Sequence, residues 1–94
     1  MPLKKVQLLR LGRRIRQERQ LLGFSQEDLA AKCELDRSYF GGVERGERDV
    51  TFSVLCRICD GLTCDIAAVT KGIPHRYTKN EFLNQVVFRA RIFF

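Results

Sequence analysis

Apolar residues recur at the spacing of a helix along most of the chain, and capping and turn residues divide the pattern into five helices. Leu8, Leu11, Ile15, Arg19 and Leu22 fall on one stripe of a long segment, predicted helical over 3–22, while Arg10, Arg13, Arg14 and Arg16 cover much of the rest. Gly23 ends it. Gly12 is either carried inside that helix, at about 1 kcal/mol in propensity, or marks where an N-terminal arm joins the helix. Ser25, three residues before Asp28, predicts an N-cap with an acid at the positive end of the helix dipole. Leu29, Ala30 and Cys33 then give a short apolar face. Asp36 caps a third helix from Arg37 to about Arg45, with Phe40 and Val43 inward and Gly46 as its stop. Thr51 caps a fourth, from Phe52 to about Gly61, whose positions Phe52, Leu55, Ile58, Cys59 and Leu62 should close the core. Asp65 caps a short fifth helix, with Ile66 and Val69 inward and Gly72 at its end, and Ile73-Pro74 breaks the chain there.

The last segment carries two patterns. Thr78 and Glu81 fit a capping box, and Phe82, Leu83, Val86, Val87, Ala90 and Phe93 would line one face of a helix. Val86, Phe88, Ala90, Ile92 and Phe94 also alternate with Arg89 and Arg91, as in a strand; the helix is preferred. Either form is too apolar to lie bare in water and should cover the core or pair with a second copy. The expected organisation is an all-α domain over 1–72 and a C-terminal extension over 73–94.

At 94 residues, 45% hydrophobic and 30% charged, the chain has the composition of one small globular domain. No apolar run approaches the ~20 residues that span a bilayer, and arginines interrupt any would-be signal core near the N-terminus. A cytoplasmic protein is expected. The net charge of +6 is uneven: +6 over 1–22, −3 over 23–72 and +3 over 73–94. Attraction for a polyanion must therefore come mainly from the first helix and the tail.

The stretch Ser25 to Gly46 gives this charge a context. Two short helices joined by a turn of about four residues form the arrangement that offers the second helix to a DNA major groove. A generic pair of packed helices would have the same spacing. Arg37 and Ser38 stand at the start of the second helix, where side chains reach base edges, and an arginine there can hold a guanine bidentately. Tyr39 could stack, touch a thymine methyl or a phosphate, or pack on the helix before it. Arg48 sits where it would touch the DNA backbone or minor groove, or else is a loose surface charge. Arg14 and Arg16 are further phosphate candidates.

The run Gly23-Phe24-Ser25-Gln26-Glu27-Asp28-Leu29-Ala30, then Arg37-Ser38-Tyr39-Phe40 and Val43-Glu44-Arg45-Gly46-Glu47-Arg48, resembles the Xre family of helix-turn-helix repressors. That family includes phage repressors, Cro proteins and the controller proteins of restriction–modification operons. The resemblance covers about residues 10–72. It implies a five-helix DNA-binding bundle in which Gln26 contacts a phosphate, Gly42 lies at a base-contacting position, and Arg19 pairs inside the fold with Glu44. Family members usually carry glycine, with a left-handed backbone, in the turn where this chain has Glu34. For Gly41 and Gly42, close approach to DNA and tight packing on a neighbouring helix are both open.

Cys56 and Cys59 have metal or redox spacing, but no second pair matches them and only His75 could add a nitrogen ligand. Cys33 and Cys59 lie on apolar stripes, as ordinary core thiols do. One His, no glycine-rich phosphate loop after a strand and no evident carboxylate pair disfavour an enzyme. No metal and no cofactor are expected. The reading is a transcriptional regulator that binds operator DNA as a homodimer, with Ile66, Val69, Phe82, Val86 and Val87 as interface candidates. Two alternatives stand beside it: a thiol- or metal-responsive sensor using Cys56 and Cys59, and an antitoxin-like module whose tail binds a protein partner.

Overall fold

The computed structural model describes residues 3–74, which form five helices: α1 Leu3–Leu21, α2 Gln26–Lys32, α3 Arg37–Glu44, α4 Phe52–Gly61 and α5 Ile66–Thr70. Among the described residues there is no strand. The two forms weighed for the tail, and the residues Phe82, Val86 and Val87, fall outside the described residues.

Local chemistry sets each helix start. Ser25 Oγ accepts from the Asp28 amide at 3.0 Å while the Asp28 carboxylate accepts from the Ser25 amide at 3.2 Å, a reciprocal capping box. Asp36, Thr51 and Asp65 accept in the same way from the amides of Tyr39, Val54 and Ala68. Gly46 ends the third helical segment at φ 74°, a left-handed conformation that only glycine adopts freely. Glu34, between α2 and α3, holds φ 57° without that freedom, a strain of roughly 1 kcal/mol or more. Arg57 of α4 donates to the carbonyls of Cys33 and Glu34 at 2.8 and 2.7 Å and secures the strained turn.

One core joins all five helices. Ile15, Leu29, Phe40, Val43, Ile58 and Val69 are its largest fully buried side chains. Each stabilises the fold by roughly 1.5–3 kcal/mol through the apolar surface it takes from water. Phe52 departs from the expected pattern. It is 63% exposed, because the first turn of α4 projects beyond the core that its later positions Ile58 and Cys59 enter. Gly12 has a definite purpose as well. The helix runs unbroken through it, and a Cβ there would lie 2.5 Å from the carbonyl oxygens of Val43 and Glu44. Only glycine lets α1 cross the end of α3 that closely.

Candidate nucleic-acid interface

The outward side of α3 is held in place by a polar junction behind it. Glu44, in the last turn of α3, has a fully buried carboxylate. Arg19 donates to both of its oxygens, from Nε to Oε2 at 2.7 Å and from Nη2 to Oε1 at 3.0 Å. Arg19 Nη1 also donates to the Phe24 carbonyl at 2.8 Å, just ahead of α2. Gln26 Nε2, at the start of α2, donates to Glu44 Oε1 at 2.9 Å, and Arg16 Nε approaches the same oxygen at 3.3 Å. One carboxylate thus ties together α1, α2 and α3. Burial alone would raise the Glu44 pKa, but the hydrogen bonds from Arg19 and Gln26, the Arg19 charge and the bond from Arg16 bring it below the ordinary glutamate range.

Ahead of this junction, Arg37 and Ser38 stand exposed at the N-terminus of α3. Arg37 keeps 62% of its side chain in solvent and lies 3.8 Å from Glu27, a distance too long for a firm ion pair in water. Tyr39 is half-buried, and its hydroxyl donates to the Asp49 carbonyl at 3.3 Å. Gly41 and Gly42 are buried although they share a side of α3 with Arg37 and Ser38. Arg45, on that same side one further turn along, and Arg48 in the loop are both exposed.

Several candidate side chains are already engaged within the protein. The Gln26 amide is turned inward to Glu44 rather than left outward as a phosphate donor. Arg14 donates from Nη2 to the Lys71 carbonyl at 2.8 Å, at the end of α5, so part of its guanidinium is engaged within the protein. Arg16 is divided, bonded to Glu44 at Nε while 44% of its side chain remains exposed. Gly42 is covered, so Arg48 occupies the outward position there. Val69 cannot contribute to an interface between copies: it is completely buried beneath α5, and of the two candidates on that helix Ile66 alone keeps some exposure. Leu21 and Leu22, 80% and 48% exposed, and Phe52 are the large apolar residues that do face solvent among the described residues.

Comparison with known proteins places this geometry. Residues 10–70 match the model of a helix-turn-helix domain. A control protein, C.SmaI of Serratia marcescens, is 38% identical over 71 residues, 76% of this chain and 81% of the relative. The crystal structure of the restriction–modification controller protein C.AhdI of Aeromonas hydrophila superposes with a TM-score of 0.65 at 40% identity, covering 66% of this chain and 94% of that one. The controller protein C.Esp1396I, solved as a tetramer in complex with its natural 35 base-pair operator, gives 0.64 at 35% identity, covering 69% of this chain and 86% of that one. The chain belongs to the helix-turn-helix control-protein family.

In this helix-turn-helix protein Glu34 holds, at the cost of strain, the left-handed backbone for which the resemblance expects glycine. The cysteines give little chemistry to the sensor reading. Cys59 is buried; burial, with the neighbouring Cys64 second, pushes its thiol up to about 12. Cys33 and Cys64 are also raised, in each case chiefly by burial. A thiol held protonated is a poor nucleophile and a poor metal ligand. Cys56 is exposed whereas Cys59 is buried. Among the described residues no three of His, Cys, Asp or Glu gather as a metal site would require. His75 falls outside the described residues, as does the tail invoked for an antitoxin-like partner. No helix among the described residues is long and apolar enough to cross a membrane.

Proposed function

We propose that this protein is a sequence-specific DNA-binding transcriptional regulator that acts as a homodimer on an operator. The reading rests most on one observation: Arg37 and Ser38 project from the N-terminus of a helix that its own inward side locks to the bundle. Arg37 is the base-reading residue, holding a guanine bidentately, and Ser38 and Tyr39 contact the neighbouring edge or phosphate. Arg48 and the free part of Arg16 hold the sugar-phosphate backbone and set the register. Residues 1–72 are the DNA-binding unit and 73–94 an extension that covers it or pairs two copies. A two-fold dimer reads an inverted repeat whose half-sites lie about 10 bp apart, or a multiple of that. Occupancy of the site near a promoter, in the cytoplasm, then controls transcription, and no enzymatic step is required. The operator complex of C.Esp1396I supports this reading by analogy.

Selection of bound DNA from a random pool tests the proposal. The wild-type protein should enrich one two-fold motif, and Arg37→Ala should lose the preference at one base pair of each half-site, a discrimination of roughly 1–3 kcal/mol. A pool that stays random with wild-type protein refutes the regulator reading. An unchanged motif with Arg37→Ala refutes the contact alone.

A further inference from the structure

The helical period puts Gly41 and Gly42 on the outward side of α3 with Arg37, Ser38 and Arg45, yet both glycines are buried. What covers them is arginine. A Cβ on Gly42 would lie 2.7 Å from Cγ of Arg48, with Nε at 3.6 Å and Cδ at 3.7 Å. A Cβ on Gly41 would lie 3.0 Å from Nη1 of Arg45 and 3.5 Å from Oε1 of Gln26. The stem of Arg48 therefore crosses bare helix backbone, in space that any side chain on residue 42 would take. The three atoms nearest to a Cβ on Gly42 all belong to Arg48 and none to a neighbouring helix, so the arginine stem is what a side chain there would meet first. Glycine is a poor helix former, and its presence in the middle of so short a helix calls for a compensating gain.

We infer that Gly42 is a positioning residue for DNA binding: its missing side chain lays Arg48 across the duplex-facing side of α3, where that guanidinium joins Arg37 in contacting the nucleic acid. The inference rests on the DNA-binding reading above and adds a mechanism to it. The segment around α3 is acidic overall, with a net −3 over 23–72. Laying an arginine from the following loop over the helix concentrates positive charge on the one side where a duplex would lie. Gly42 acts through Arg48, and a methyl group at residue 42 would lift the arginine stem away while leaving the core untouched.

The test uses the full-length protein and the DNA motif that it selects, with binding followed by fluorescence anisotropy and folding by thermal melting. Gly42→Ala should weaken binding by roughly five- to a hundredfold, the worth of one good guanidinium contact. It should melt no lower than wild type, because alanine favours the helix. Arg48→Ala should weaken binding to a similar degree, and Gly42→Ala combined with Arg48→Ala should bind no more weakly than Arg48→Ala alone. Unchanged binding by Gly42→Ala overturns the inference. So does loss of folding in that variant, which would make the glycine a packing residue, or a loss of equal size with and without Arg48. A wild-type protein that selects no DNA removes the regulator reading and this inference together, whereas additive losses on a selected site remove this inference alone.

Discussion

Arg19 of α1 donates to the carboxylate of Glu44 at 2.7 Å, and Arg14, on the same helix, donates to the carbonyl of Lys71 at 2.8 Å. The two bonds are alike in length and in donor. Their surroundings are not. Arg19 is 11% exposed and its acceptor is fully buried and charged. Arg14 belongs to a seam along the surface, where Gln7 and Arg10 donate to the Pro74 carbonyl at 3.1 and 2.9 Å, and Arg10 also donates to the Gly72 carbonyl at 2.8 Å. If Arg14 is removed, water reaches the carbonyl it leaves. If Arg19 is removed, a buried carboxylate loses its main counter-charge. The difference lies in what remains behind, so bond length alone is a poor guide to the energy of a contact.

The comparison predicts its largest effect at the junction. Arg19→Ala should lower stability by about 3–5 kcal/mol, the usual cost of breaking a buried ion pair by removing one partner. For a small domain that is a large part of the total, so DNA binding should fail because the protein unfolds. Thermal melting of the variant without DNA checks this. An unchanged melting temperature would mean that Arg16 and Gln26 suffice to neutralise Glu44, and the contrast between the two regions would collapse.

Acid should sharpen the same contrast more gently. The Glu44 carboxylate titrates below its ordinary value of 4.5 in the folded protein. Its contribution to stability is therefore fully present above the unfolded-state value, and is lost as the pH falls through the lower folded one. Wild type and Glu44→Gln should differ most in stability near neutrality, and the gap should close below about pH 4.3. Urea titrations from pH 7 to pH 3 measure it. A gap that stays constant with pH would show that the packing of Glu44, and not its charge, carries the junction. The seam, whose acceptors are neutral carbonyls, has no such dependence.

Much of this architecture could be read from the chain because it is written in short-range chemistry. Ser25, Asp36, Thr51 and Asp65 each cap the helix that follows by accepting from an amide three residues on, and that spacing is visible in any sequence. The inward positions Ile15, Phe40, Val43 and Ile58 follow the helical period for the same reason. Periodicity failed where a helix outruns its core, as at Phe52, and it could not tell that Val69 lies too deep to meet a partner. The candidate site was legible at the exposed start of α3 and at the exposed arginines Arg16 and Arg48. Partners for Gln26 and Arg14 lie 18 and 57 residues away, and no local pattern encodes such distances. The Arg19–Glu44 pair, 25 residues apart, came from family resemblance instead. Gly12 carried a signal that periodicity ignores: a glycine inside an otherwise regular helix marks a close crossing.

The smallest expected effect belongs to the seam. Arg14→Ala removes one hydrogen bond between α1 and the residue after α5, at a site open to water. The net value of such a bond is about 1 kcal/mol or less, since water replaces the lost donor. Gln7 and Arg10 continue to hold the neighbouring carbonyls, so residues 72–74 should stay docked on α1. Thermal melting should therefore show a shift several times smaller than that of Arg19→Ala. Amide exchange should rise only around residues 70–73, where Lys71 and Ile73 donate back into α5. A loss as large as that of Arg19→Ala would mean that α5 depends on this single contact for its packing, despite the complete burial of Val69. Burial of the acceptor would then no longer rank the two regions.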